Sequence, residues 1–471
     1  MKSRLQIAVV VSALVALQLS ACTFVKVYDP TDGPDAQTGS VAPLDELLGK
    51  DADPITLVFV HGVSDHCRGY ALGNDNSEVA DGVPWLNPAV MGAIGLTADG
   101  APQDTQITAG ELGVGDKTAD SALNMVLLRE RSYKWRIPGE TAAASVRAVE
   151  VTWSPMTRWI KNTLLGYDAA KTAVFSAAAY KDVTLCSKDP EDQIGKQVPA
   201  YSGFLPPPRL AINSSLKWSI LDRDLADAVI YAGVYGQAMQ RGMAVALCRI
   251  AGGGYKDNPG GPCEWPADVR PGHFIFVTHS LGSRLLYDTL LNLMDPQRAH
   301  IEYPEFIPSS YEKAWTNAPD DAKAMVKQTV GFYMMANQLT MLGMAHVPID
   351  APVNVPQQRL FGLPAGPQAD PLMRLLAERA ALRPQAELAV VSFNDSNDLL
   401  TWHIPPWYLN PMMGDGAYGV KIADVFVKNA THWAWLLEWP ESAHGGYFSN
   451  SSVWQVMYCG AEKGRVRKCR E

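Results

Sequence analysis

The sequence predicts an α/β fold, with a mainly parallel central sheet flanked by helices. Three observations lead there. Short runs rich in apolar and β-branched residues recur at 55–60, 148–153, 274–278, 329–335, 388–393 and 422–427. Several are near-continuous, which is how strands buried on both faces of a parallel sheet read. Helix-compatible stretches lie between them, and alternation of strand and helix marks crossover-connected strands.

Taken in order, the first two strands are separated by residues 64–147, and residues 154–224 follow the second. Structureless connections of that length do not suit a compact body. Both segments are therefore expected to be insertions carrying helices, one of them as a lid or cap. Residues 225–248 are apolar and Ala-rich and predict one long helix; 285–294, 371–382 and 452–458 suit shorter ones. The Gly-rich stretch 252–261 lacks the lysine and hydroxyl of a phosphate loop and reads as a turn. The basic residues of 463–470 read as a solvated end, and no internal repeat is seen.

At 471 residues, 47% hydrophobic and 19% charged, the chain is globular and not disordered. Lys2 and Arg4 precede an apolar run, 5–19, that is short for a transmembrane helix. The run ends in Leu19-Ser20-Ala21-Cys22, which resembles the lipobox of bacterial lipoproteins. That resemblance implies a signal peptide over 1–21, cleavage before Cys22, and acylation of its thiol and new amino group. Residues 22–53 then form a tether rich in Pro, Gly, Asp and Ser, and 54–471 the folded domain. Thr23, where an aspartate would favour the inner membrane, directs the expectation to the outer membrane, facing the periplasm. No second stretch is long and apolar enough to span a bilayer.

Loss of Lys2 and Arg4 takes the formal charge from -9 to -11. An acidic protein is a poor nucleic-acid partner, and membrane attachment is expected to rest on the acyl chains. Six cysteines remain beyond Cys22, an even number that suggests up to three disulfides in an exported protein. Cys248 with Cys263 and Cys459 with Cys469 are the local pairings. None of the spacings has the short paired form of a zinc site.

The most informative stretch is Thr278-His279-Ser280-Leu281-Gly282-Ser283. An apolar run stops at a small-x-Ser-x-Gly turn and a helical stretch follows, the pattern of a nucleophile elbow. A serine hydroxyl needs a base, and the base needs an orienting group, in the chain order Ser, acid, His. Beyond the strand at 388–393 stand Asp395 and Asp398. Asp398 is the better candidate, because the apolar Leu399 and Leu400 would pin its turn against the body; Asp395 reads as a structural turn residue. Beyond 422–427 come His432 and His444. His444, in a small-residue loop before the last helix, suits a mobile base; His432, among Thr431 and two tryptophans, suits packing. His279 is expected to point away from Ser280. Early in the chain, Val60-His61-Gly62-Val63-Ser64 follows the first strand. Gly62 is suited to turning an amide inward, which makes Val63 one candidate amide for an oxyanion site, and Leu281, directly after Ser280 in the elbow pattern, is the other. Trp153-Ser154-Pro155 reads as core packing.

On these motifs, residues 55–460 resemble the lipase and esterase-like serine hydrolases of the α/β-hydrolase superfamily. Thr278 departs from the pattern, which has Gly there, and implies a modest rearrangement of the turn. The resemblance implies cleavage of small-molecule or lipid carboxylic esters by Ser280, His444 and Asp398 through an acyl-enzyme, with no metal or organic cofactor. An acyltransferase or thioesterase would use the same residues. An inactive hydrolase scaffold serving as a binding or structural envelope lipoprotein is the alternative of another class.

Overall fold

The computed structural model describes residues 25–30, 39–48, 54–73, 84–112, 124–136, 143–165, 221, 224–254, 263–266, 269–294, 319–343, 371–382, 387–404, 420–429, 440–462 and 465–468. Cys22, Cys186, His432 and Cys469 lie outside them, as do the lipobox, most of 154–224 and part of the Gly-rich stretch.

The N-terminal part holds β1 (Lys26–Tyr28), β2 (Ser40–Val41), helix α1 (Leu44–Leu48), β3 (Ile55–Val60), α2 (Pro88–Ala93), β4 (Leu96–Ala98), β5 (Gln103–Thr108) and α3 (Ala109–Leu112). The long strands β6 (Asn124–Arg136) and β7 (Ala143–Thr152) follow, then α4 (Pro155–Leu165), α5 (Ala226–Ala232), α6 (Gly236–Ala251), β8 (His273–His279) and α7 (Leu281–Met294). Next come α8 (Pro319–Gln328), β9 (Thr329–Met335), α9 (Leu339–Gly343), α10 (Pro371–Leu382), β10 (Leu388–Asn394) and β11 (Val420–Phe426). The chain closes with α11 (Pro440–Gly445), α12 (Ser451–Cys459), β12 (Ala461–Glu462) and β13 (Arg465–Val466).

Strands β11, β10, β9, β8, β3 and β7 lie side by side, and each neighbouring pair runs parallel. β1 adds to one edge antiparallel, and β6 with β4 and β5 extends the other. The result is a mixed α/β body with a mostly parallel sheet. Every residue of β3, β8, β9 and β10 is buried, which accounts for their continuous apolar sequences. Side chains alternate between two cores. Phe274 and Phe276 of β8 face one, with α6, α7, α8 and α10; Ile275 and Val277 face the other, with α1, α2 and α12.

Three expectations need correction. Residues 64–147 are not only a helical insertion, because β4, β5 and β6 within them widen the sheet itself. The helix expected over 225–248 is two helices, α5 and α6, with Gly233 in extended conformation ending the first. The proposed tether contributes to the body: Val27 pairs with Val425 at the sheet edge, and Val41, Leu44, Leu47 and Leu48 are buried in the core. Apolar residues spaced among its glycines and prolines have surface to bury, and a free tether has none. The basic end carries local structure, while Arg465 and Lys468 remain exposed. β13 pairs with β12, and β12 with β2, in a small antiparallel sheet.

Cys248 and Cys263 form a disulfide that links the end of α6 to the segment before β8. Cys67 and Cys459 are also disulfide-bonded.

Glu150, near the carboxyl end of β7, is fully buried. Its carboxylate accepts the amides of Gly69 (2.6 Å), Ala71 (2.8 Å) and Leu72 (3.0 Å), and so fastens the long connection after β3 to the sheet. Burial pushes this carboxyl up from 4.5 to about 7, against the opposing pull of the three amides. The folded chain keeps a proton that the unfolded chain sheds. Its contribution to stability is therefore full below about pH 4.5 and is lost as pH rises through about 7. The expected outcome is a shallower fall of unfolding free energy over that window in Glu150→Gln than in the parent, measured by urea denaturation at stepped pH. Equal slopes in both proteins contradict it.

Candidate active site

Ser280 follows β8 directly and stands at φ 51°, a left-handed conformation that non-glycine residues adopt at a cost of roughly 1–2 kcal/mol. Its amide donates to the Met335 carbonyl at the end of β9 (2.8 Å), and its carbonyl accepts from Ser283 (3.1 Å). The turn is thus fixed on both sides, and α7 begins at the next residue.

Two glycines make room for it. A Cβ on Gly62 would lie 2.6 Å from the Ser280 Cβ and 2.7 Å from His279 Nδ1. A Cβ on Gly282 would collide with the His61 carbonyl. The closest approach is therefore between the start of α7 and the end of β3. Thr278 is tolerated because the crowding lies elsewhere. Its hydroxyl pairs with the Ser283 hydroxyl at 2.7 Å and also reaches the Tyr333 carbonyl at 3.4 Å.

The loop after β3 is ordered by its own histidine. His61 Nε2 accepts from the amides of Trp153 (3.0 Å) and Ser154 (3.3 Å), so the proton resides on Nδ1, which donates to the Gly62 carbonyl at 2.7 Å. Burial, and next the neighbouring His66, hold this imidazole well below its ordinary value and therefore neutral. A trans peptide directs its N–H opposite to its C=O, so the Val63 amide is turned away from His61. The left-handed residue of the loop is Ser64, at φ 91°; Gly62 is needed for close approach and not for unusual angles. The Ser64 amide is taken by Asp227 (2.8 Å), whereas the Val63 amide makes no hydrogen bond among the described residues. Leu281, the first residue of α7, has no intrahelical acceptor for its amide.

His444 lies in the last turn of α11, a short helix where a loop was expected. Its Nδ1 lies 2.9 and 3.0 Å from the two oxygens of Asp398, so Nδ1 carries the donated proton and Nε2 is on the far side of the ring from the acid. Asp398 also accepts from the Tyr447 hydroxyl (2.9 Å) and the Leu400 amide (2.8 Å). Of the two leucines expected to pin its turn, Leu399 is 67% exposed and Leu400 is half-buried. Hydrogen bonds to Leu400, Tyr447 and His444 hold this turn as well. Asp395 accepts from the amides of Asn397 (2.9 Å) and Asn429 (2.6 Å), and the Asn429 side chain donates to the Ala443 carbonyl (2.8 Å). It anchors the segment that carries His444.

His279 makes no ring hydrogen bond to Ser280 among the described residues and packs beside His444. Its ring lies 4.7 Å from that of His444, and its Nε2 donates to the His444 carbonyl (2.9 Å). Burial, then the adjacent His444, keep it well below its usual value, hence neutral. The structure therefore brings Ser280, His444, Asp398, Gly62, Val63 and Leu281 to the carboxyl ends of β3, β8 and β10. Ser280 Oγ and His444 Nε2 are both buried without a hydrogen-bond partner among the described residues, so they do not bond each other. Trp153 is buried; it stacks on His61 and donates to its carbonyl, a packing role.

Tyr447, Asp227 and Glu150 escaped sequence reasoning. For Asp227 and Glu150 a signal existed, a lone acid within an otherwise apolar run; for Tyr447 there was only its nearness to His444. Among the described residues no group of three His, Cys, Asp or Glu side chains is placed to hold a metal, and no helix is long and apolar enough to cross a membrane.

Gly62→Ala is expected to destabilise the fold by about 1–3 kcal/mol through overpacking against Ser280, read by urea denaturation. Parent-like stability would mean that the loop yields at no cost.

No protein-family model, no curated protein and no solved structure matches this chain.

Proposed function

We propose that the chain is a serine hydrolase of the α/β-hydrolase fold that cleaves carboxylic esters, exported and held at the bacterial outer membrane through acylated Cys22. The observation that carries this reading is a left-handed Ser280 whose chain neighbour His279 packs at 4.7 Å against His444, an imidazole held by Asp398 on one side and, among the described residues, unpartnered on the other.

The chemistry follows from these groups. His444 Nε2 takes the Ser280 proton as Oγ bonds to the ester carbonyl carbon. The carbonyl π electrons move to oxygen, and the amides of Val63 and Leu281 stabilise that charge. Asp398 stabilises the imidazolium. Collapse breaks the C–O bond, and His444 gives its proton to the departing alcohol. Water, activated by the same imidazole, then releases the acid and restores Ser280. In free enzymes such hydrogen bonds are often long and tighten on substrate binding, which accommodates the unbonded Ser280 and His444.

The test is labelling by a fluorophosphonate probe together with turnover of p-nitrophenyl esters of increasing acyl length. The parent is expected to label and turn over. Ser280→Ala is expected to lose labelling and about 10³-fold or more in kcat, and His444→Ala to lose a comparable amount. A folded parent that neither labels nor turns over would refute the reading and favour an inactive scaffold. Labelling without hydrolysis, relieved by an added alcohol acceptor, would redirect it to acyl transfer.

A further inference from the structure

Helix α5 does more than fill space beside the sheet. Asp227, in its first turn, is completely buried, and its Oδ2 accepts the amide of Ser64, the left-handed residue of the loop after β3. Its Oδ1 lies 3.0 Å from Lys161 Nζ of α4, whose side chain is also fully buried. Lys161 in turn lies 3.1 Å from the carboxylate of Asp65. Consecutive residues of one loop, Ser64 by its amide and Asp65 by its side chain, thus converge on a single buried ion cluster.

One turn further along α5, Tyr231 donates its hydroxyl to Asp288 of α7 at 2.5 Å, and Arg284 Nε reaches the same oxygen at 2.7 Å. Residues 227 and 231 are four apart and share a face of the helix. That face touches both the loop carrying Val63 and the helix beginning at Leu281. Buried ion pairs contribute little net stability but are costly to break singly, so they fix a geometry more than they strengthen a fold. We propose that α5 sets the spacing of the two oxyanion-stabilising amides: Asp227 positions Val63 through Ser64, and Tyr231 positions Leu281 through Asp288. Asp227 is a positioning residue, and Lys161 its counter-ion. This rests on the serine-hydrolase reading above.

The experiment compares two double variants, neither of which leaves a charge at residues 161 and 227. Asp227→Asn with Lys161→Met keeps an acceptor for the Ser64 amide; Asp227→Leu with Lys161→Met removes it. Kinetics with p-nitrophenyl butyrate, melting temperature, and affinity for a phenylboronic acid, which forms a tetrahedral adduct on the serine, are measured for both. The second variant is expected to lose about 10–100-fold in kcat relative to the first, with KM within about threefold and boronate affinity falling in parallel. Tyr231→Phe, which removes one hydroxyl, is expected to lower kcat with KM retained, and it decides the matter if the Asp227→Leu pair does not fold. Equal kcat and boronate affinity in folded variants overturn the inference while labelling of the parent keeps the hydrolase reading. A parent that does not label overturns both.

Discussion

Close approach of backbone at the carboxyl end of β8 is the constraint on which the rest of the site depends. Ser280 is presented on a left-handed turn only because Gly62 lies against its Cβ and Gly282 lies against the end of β3. The parallel register of β3 and β8, with Val60 opposite Thr278, fixes that proximity. Side-chain bulk is admitted where the packing is looser, as at Thr278, whose hydroxyl is absorbed by Ser283. A turn clamped in this way gives a hydroxyl little freedom to drift, which reactive geometry requires.

The loops around this turn are held by one recurring device, a buried carboxylate that accepts backbone amides. Glu150 holds residues 69, 71 and 72; Asp227 holds Ser64; Asp395 holds Asn429; Asp424 holds Ile404. Loop amides that leave a sheet ladder must find acceptors, and a carboxylate offers several in a small volume. The cost is desolvation, visible in Asp424, which burial pushes up to about 7. The same device surrounds the proposed base. Asp398 holds Leu400 and Tyr447 as well as His444, so the acid and its turn are ordered together.

Neutral histidines form a second supporting layer. His61 and His279 are each buried and each donate one ring proton to a backbone carbonyl, at Gly62 and at His444. A neutral imidazole can order a peptide without placing a second charge beside the proposed base. His61 acts on the side that carries Val63, and His279 on the side that carries His444.

The strands were legible because residues buried on both faces must be apolar throughout, and that signature is local. Ser280, His444, Gly62 and the order of the proposed groups were legible for a related reason: a sharp turn needs small residues at fixed offsets. The break between α5 and α6, the contribution of residues 25–30 and 39–48 to the body, and the strands within 64–147 were not, because each depends on a partner far along the chain. Leu399, exposed, adds no packing at Asp398, and the bonds that place this acid come from Tyr447 and His444 across the turn. By itself, then, the sequence determined a mostly parallel α/β sheet and a short register of candidate groups, since period and turn chemistry are properties of neighbours. Only the tertiary structure decided which carboxylate meets which imidazole, and which helix braces the loop after β3, because buried hydrogen bonds between distant segments leave no periodic trace in the chain.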